Sequence, residues 1–206
     1  SIGVILNKAA LQIDNDLKFD AQANHLVKSL GLSLMLLSKA SKFVNSHVLT
    51  RMYFAFCHPH LIYCLPVYGP HLSKSDKSRI ESLRYKMAKL ICYPLSFSER
   101  KSYFDYLGWL TIDSLIQYEV SLFVYKCLNN LLPASFADFY VFHAGRTRAN
   151  TFKIFKLPFI PKHNFALNEL SYYGTKVWNN LPLEIRVFSE VKSFKTSCHR
   201  YFYNKQ

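Results

Sequence analysis

Apolar positions recur at helical spacing through most of the chain, and the breaks between the periodic stretches divide it into elements. Over residues 20–43, Leu26, Val27, Leu30, Leu34 and Leu37 fall on one stripe, and Asn45-Ser46 supplies a stop and a fresh N-cap. A second long helix is predicted over residues 47–68, kinked or divided at Pro59, because a proline inside a helix removes a donor and clashes with the preceding turn. After the Gly69-Pro70 breaker, Ser73 or Ser75 can cap a third helix reaching about Cys92, whose Ile80, Leu83, Met87 and Leu90 form an amphipathic stripe. A short helix over residues 99–106, a turn at Gly108 and a helix from Asp113 to before Pro133 follow. This last helix is apolar nearly all round, so it is expected to be buried. Two further helices, over residues 166–179 and 189–203, close the chain; the second carries Val191, Phe194, Cys198 and Tyr201 on one face.

Two stretches depart from this pattern. Residues 2–6 and 10–13 are β-prone runs separated by Asn7-Lys8 and followed by the turn Asp14-Asn15-Asp16, which predicts a small N-terminal β-hairpin. Residues 141–166 carry Gly145, Arg146, Arg148, Pro158 and Pro161 among scattered aromatics and read as an irregular basic connection. The expected fold is therefore mainly α: a helical bundle with a hairpin at its start, a soft boundary dividing 1–140 from 141–206, and two helices in the tail. Within the tail, SYYGTKVWNNLPLEIR places Tyr172, Tyr173, Val177 and Trp178 at helical spacing, while Asn179, Asn180 and Pro182 stop one helix and start another.

Charge adds a functional direction. Of 206 residues, 26 are Lys or Arg and 13 are Asp or Glu, a surplus of +13 that points to a polyanionic partner. Nucleic acid is the first expectation and an anionic membrane surface the second. No apolar run has the eighteen or so residues of a membrane span, so a soluble protein is expected, with nucleic acid and no membrane carried forward as the partner. Cys57, Cys64, Cys92, Cys127 and Cys198 are odd in number, widely spaced and mostly set among apolar residues, which reads as reduced thiols in an intracellular protein. The chain begins at Ser1 with no basic-apolar leader, and is expected to be a piece of something longer without a signal peptide.

The basic residues concentrate on the third helix: Lys74, Lys77, Arg79, Arg84, Lys86 and Lys89 are answered by only Asp76 and Glu81. Since Ile80, Leu83, Met87 and Leu90 commit one side to the core, Lys77 and Arg84 are expected to face outward. With Arg146 and Arg148 of the connection, these are the candidate phosphate-binding residues; the competing reading is a solvated helix face. Cys57, His58, His60, Cys64 and His71 offer metal-ligand chemistry within fifteen residues. No Cys-x-x-Cys knuckle is present and Pro59 fixes the local backbone, so a packed helix is favoured over a zinc site. Asp14 and Asp16 read as a solvated turn, since metal-assisted phosphoryl transfer needs a third carboxylate nearby. No Gly-x-Ser-x-Gly elbow singles out a nucleophile. No catalytic residue, metal ligand or cofactor is assigned.

Several segments in order resemble the C-terminal part of a LINE-type (non-LTR, Jockey and CR1-like) retrotransposon reverse transcriptase. They are ALQIDNDLKFDAQANHL (10–26), RMYFAFCHPHLIYCLPVYG (51–69), LRYKMAKLI (83–91), YLGWLTIDSLIQYEVSLFVYKCLNNLLP (106–133) and YGTKVWNNLPLEIR, with SFK further on. Where the family opens with Leu-Gly-Val-x-Ile-Asp, this chain has Ala9-Ala10-Leu11-Gln12-Ile13-Asp14. The resemblance implies a strand-turn-strand that follows the palm, then the thumb and tail of an RNA-directed DNA polymerase. It implies that the catalytic carboxylates and their Mg²⁺ belong to a palm outside this chain, which alone would not be an enzyme. RNA, DNA or an RNA–DNA duplex, gripped through its backbone, and the rest of the parent polymerase are the implied partners. The alternative from another class is a stand-alone or domesticated helical interaction protein with no nucleic-acid role.

Overall fold

The structure, a computed structural model, describes residues 11, 19–93, 95–142, 154–158 and 164–206. The predicted N-terminal hairpin with Asp14 and Asp16, and the connection residues Arg146 and Arg148, lie outside the described residues. Among those described the fold is mainly α, and the β-type pairing is a single antiparallel bridge between Phe142 and Phe155.

The chain divides into two compact units, Ser1–Cys64 with His71–Leu107 and Leu65–Pro70 with Gly108–Gln206. The soft boundary drawn at 141 falls inside the second unit. In the first unit, α1 (Asp20–Ala40) packs along a later helix, α5 (Lys74–Cys92), through Ala23, Leu26, Leu30 and Leu37 on one side and Ile80, Met87, Ala88 and Ile91 on the other. The N-cap of α5 is Ser73, whose Oγ accepts from the Asp76 N–H at 3.1 Å. Helix α6 (Arg100–Leu107) then covers α5 with Tyr103 and Phe104.

The expected division at Pro59 takes a definite form. Helix α2 (Ser46–Met52), capped by Asn45 Oδ1 on the Val48 N–H at 3.0 Å, widens into a π-helical turn over Tyr53–Cys57 in which the His58 N–H reaches back to the Tyr53 carbonyl. Pro59 then sits in the first turn of α3 (His58–Ile62), where its missing N–H is no loss. Cys64, with φ +53°, ends that run, and the next turn, α4 (Leu65–Tyr68), belongs to the second unit. The extended backbone of Tyr63, with ψ 116°, and the left-handed Cys64 after it, rather than the proline itself, close the long stretch.

The second unit is built around α7 (Ile112–Leu128), capped by Thr111 and buried at Ile112, Leu115, Ile116, Val120, Val124 and Tyr125, as its all-round apolar pattern predicts. A 3₁₀ turn at Ala134–Phe139 follows. The helix predicted over 166–179 is a short turn, α8 (Asn164–Leu167), and a separate helix, α9 (Leu170–Asn179), entered through an extended Glu169. A further turn, α10 (Leu183–Arg186), precedes α11 (Val191–Lys205). Helices α9 and α11 both pack on α7.

Here the SYYGTKVWNNLPLEIR stretch finds its physical reason. Trp178, 1% exposed, stands between Phe155 and Phe194, and Phe194 stacks on Tyr125 at 4.2 Å. The Asn179 amide clamps the Phe155 backbone, accepting its N–H at 2.9 Å and donating to its carbonyl at 3.0 Å. Gly174 leaves room for Tyr140, whose hydroxyl a Cβ there would meet at 2.5 Å. Asn180 then caps α9, and Pro182 precedes α10.

Candidate nucleic-acid interface

Helix α5 distributes its six basic residues over three environments. Arg84 is not on the outward face but in the core, 2% exposed, and the expectation that it faces solvent is corrected. The true core face of α5 runs through Ile80, Arg84, Met87, Ala88 and Ile91, while Leu83 and Leu90 lie half-buried on its flanks. A stripe read from apolar positions alone is therefore rotated, because a guanidinium occupies one of its central places. Arg84 donates from Nη1 to Glu81 Oε2 at 2.7 Å and lies over the Phe104 ring at 5.0 Å. Burial works against its charge, but the Tyr53 phenol and the Glu81 carboxylate outweigh it and hold its pKa above the ordinary value. The same cluster sets its neighbours: burial, with Arg84 adding, pushes the His58 imidazole down, and burial raises the Tyr53 phenol against the pull of Arg84.

Near the start of α5, Arg79 serves both structure and surface. Its Nη1 donates to Asp76 Oδ1 at 3.1 Å and to Asn24 Oδ1 of α1 at 2.9 Å, which ties the two helices together. Lys74 is exposed and Lys77 half-buried in the same region.

Lys86 and Lys89 define the third environment. With Lys39 and Lys42 from the end of α1 and the turn after it, they line an open groove of about 1290 Å³ between α1, α2 and α5. Leu34, Met35, Leu49 and Leu90 make its apolar floor, and Tyr93, 79% exposed, stands in its wall. No carboxylate is among the residues lining it. Sequence reasoning found Lys86 and Lys89 but missed Lys39 and Lys42. Their signal was present in the SKASKF segment, two lysines at the end of a helix, but only the packing of α1 on α5 makes them neighbours of the others.

Among the described residues no group of three or more His, Cys, Asp or Glu side chains is placed to hold an ion. Cys57 is buried, with its thiol pushed up to about 11 by burial, and His58 packs against the Phe54 ring at 5.3 Å. Among the described residues no helix is long and apolar enough to cross a membrane. No family model, curated protein or solved structure matches the chain.

Proposed function

We propose that the chain holds a nucleic-acid backbone, as the thumb and tail region of a LINE-type RNA-directed DNA polymerase would, and contributes grip rather than chemistry. The observation that supports this reading best is the α1–α5 groove, which Lys39, Lys42, Lys86 and Lys89 line with no acidic residue beside them in the lining. Phosphates are the ligands that such an array suits, and contacts of this kind position a strand without reading its sequence. The exposed Tyr93 ring offers a surface on which a base or sugar can rest. The site residues of this proposal are therefore Lys39, Lys42, Lys86 and Lys89, with Lys74 and Lys77 as outlying contacts.

The test is an anisotropy titration of a short RNA–DNA duplex at several salt concentrations. Lys86→Glu combined with Lys89→Glu is expected to weaken binding alike for unrelated sequences and to flatten the slope of log K against log salt by about one unit for each phosphate no longer neutralised. An unchanged affinity and slope in the folded double variant would remove the groove as the binding surface. One observation favours a second reading, a helical interaction protein with no nucleic-acid role. The groove floor is apolar, and Leu32, Leu36 and Phe43 are exposed on the same unit. On that reading Leu34→Ser and Met35→Ser, not the lysine reversals, would abolish the measured interaction.

A further inference from the structure

A second concavity lies wholly within the second unit, at the YGTKVWNN element, which the groove does not involve. It is a half-open hollow of about 300 Å³ between α7, the bend before α9, α9 itself and α11. This is the lower end of the range for sites that take small organic ligands. Its floor is apolar, from Val177 and the buried Phe202, and Tyr173 and Tyr201 supply aromatic walls. The Tyr201 hydroxyl donates to the Asn180 carbonyl at 3.3 Å, which fixes α11 against the end of α9. Burial, with Asp113 nearby, pushes the Tyr173 phenol up to about 12, so it is a neutral hydroxyl at physiological pH.

Two kinds of polar group converge on this apolar frame. Gln117, Asn168 and Asn180 are among the lining residues, and their amide side chains are each both donor and acceptor. Lys176 and Lys205 also line it, with their ammoniums over the Tyr172 ring, just outside the lining, at 5.7 Å and over the Tyr201 ring at 5.6 Å. No carboxylate lines the pocket. A ligand that uses all of these features is flat, carries a hydrogen-bonding edge and ends in an anion. Inorganic phosphate would leave rings and amides unused, a sugar phosphate would offer the rings only a puckered face in place of a flat aromatic one, and an acyl chain would bury the amides unsatisfied.

We propose that this pocket binds one nucleoside monophosphate unit, the base against the tyrosine walls with its edge to the amides and the phosphate to Lys176 and Lys205. A free nucleotide and the phosphorylated end of a strand present the same chemistry. The proposal does not depend on the groove reading, since the residues belong to different units.

The ¹⁵N-labelled full chain is titrated with AMP, CMP, GMP and UMP, followed by the backbone and the Asn and Gln side-chain amides in NMR spectra. At least one nucleotide is expected to give saturable shifts confined to residues 117, 168, 173–180 and 201–205. Ribose 5-phosphate and inorganic phosphate are expected to bind about tenfold more weakly or worse. Lys176→Glu with Lys205→Glu, both at exposed positions, should weaken the nucleotide by about tenfold, while Lys28→Glu with Lys156→Glu, an equal loss of charge at exposed positions outside both linings, leaves it unchanged. Competition by a trinucleotide with a 5′-phosphate, but not by the same trinucleotide without it, supports the proposal with a strand end as source. Mononucleotide binding that neither trinucleotide displaces supports it with the free nucleotide as source. The proposal fails if no nucleotide saturates by about 10 mM, if inorganic phosphate matches the nucleotides, or if the shifts fall outside these residues.

Discussion

Single residues decide more of this fold than their neighbours in sequence announce. Arg84 is the plainest case: the helix around it is amphipathic, and every periodic argument places a charged residue of that helix in solvent. It is instead held in the core by Glu81, Tyr53 and Phe104, residues brought together by three different helical segments. Arg84→Ala is expected to cost about 3 kcal/mol, because it removes one partner of a buried polar cluster and leaves the rest uncompensated. Urea unfolding measures this, and Lys86→Ala in the same assay should stay within about 0.5 kcal/mol. A loss for Arg84→Ala no larger than for Lys86→Ala would return Arg84 to the surface. Gly174 poses the converse case, a small residue whose meaning lies in what passes over it. A Cβ there would meet Tyr140 Oη at 2.5 Å and its Cε1 and Cζ at 3.1 Å, so Gly174→Ala is expected to cost about 1–3 kcal/mol. Removing the hydroxyl with Tyr140→Phe should recover part of that cost in a double-mutant cycle, and strict additivity would show that the two do not collide.

At the scale of elements, legibility followed the strength of local signals. Ser73, one of the two serines read as a possible cap, starts α5, and α7 opens one residue before the expected Asp113, because a cap and an amphipathic or wholly apolar run are properties of adjacent residues. The Thr111 cap of α7 and its end at Leu128, short of Pro133, were not read from the sequence. The segment around Pro59 was legible only as a disturbance. Its resolution into a π-helical turn and a left-handed Cys64 depends on packing, including the Ser33 hydroxyl of α1, which donates to the Phe56 carbonyl at 3.4 Å. This turn also carries a titratable group. His58 follows it, and burial together with Arg84 lowers its folded pKa below the unfolded value. The unfolded chain therefore binds the proton first as pH falls, so the contribution of His58 is complete above about pH 6.5 and is lost below it. His199, lowered by burial, acts in the same direction. Urea midpoints at pH 7.5 and 5.5 should show lower stability at the lower pH, and His58→Gln should make that loss shallower. An equal loss in the variant would assign the acid sensitivity elsewhere.

Over the whole molecule, the surplus of +13 was the first sign of a polyanionic partner, and it is also the main obstacle to locating one. A net charge attracts nucleic acid from any side, so a loss of affinity on charge reversal does not by itself identify a surface. The sequence gathered candidates along one helix because charge runs are visible in one dimension. The groove draws Lys39 and Lys42 from α1 and its following turn and Lys86 and Lys89 from α5, a grouping that exists only after the two helices pack. A comparison at constant net charge separates the two effects. One variant reverses Lys39, Lys42, Lys86 and Lys89 to Glu; the other reverses Lys28, Lys156, Lys192 and Arg200, which are exposed and outside the groove lining. Both lose the same charge, and hence about the same long-range attraction, but only the first removes groups that would meet phosphates. The first is expected to lose most of its affinity for an RNA–DNA duplex, about tenfold or more beyond the second, and to show a salt slope flatter by up to about 0.9 per phosphate-bound lysine on B-DNA, with a comparable change on a hybrid. Anisotropy titrations over a salt series measure both quantities, with circular dichroism confirming that each variant is folded. Equal affinities and equal slopes for the two variants would mean that the excess charge acts as a diffuse field and that the groove holds no strand.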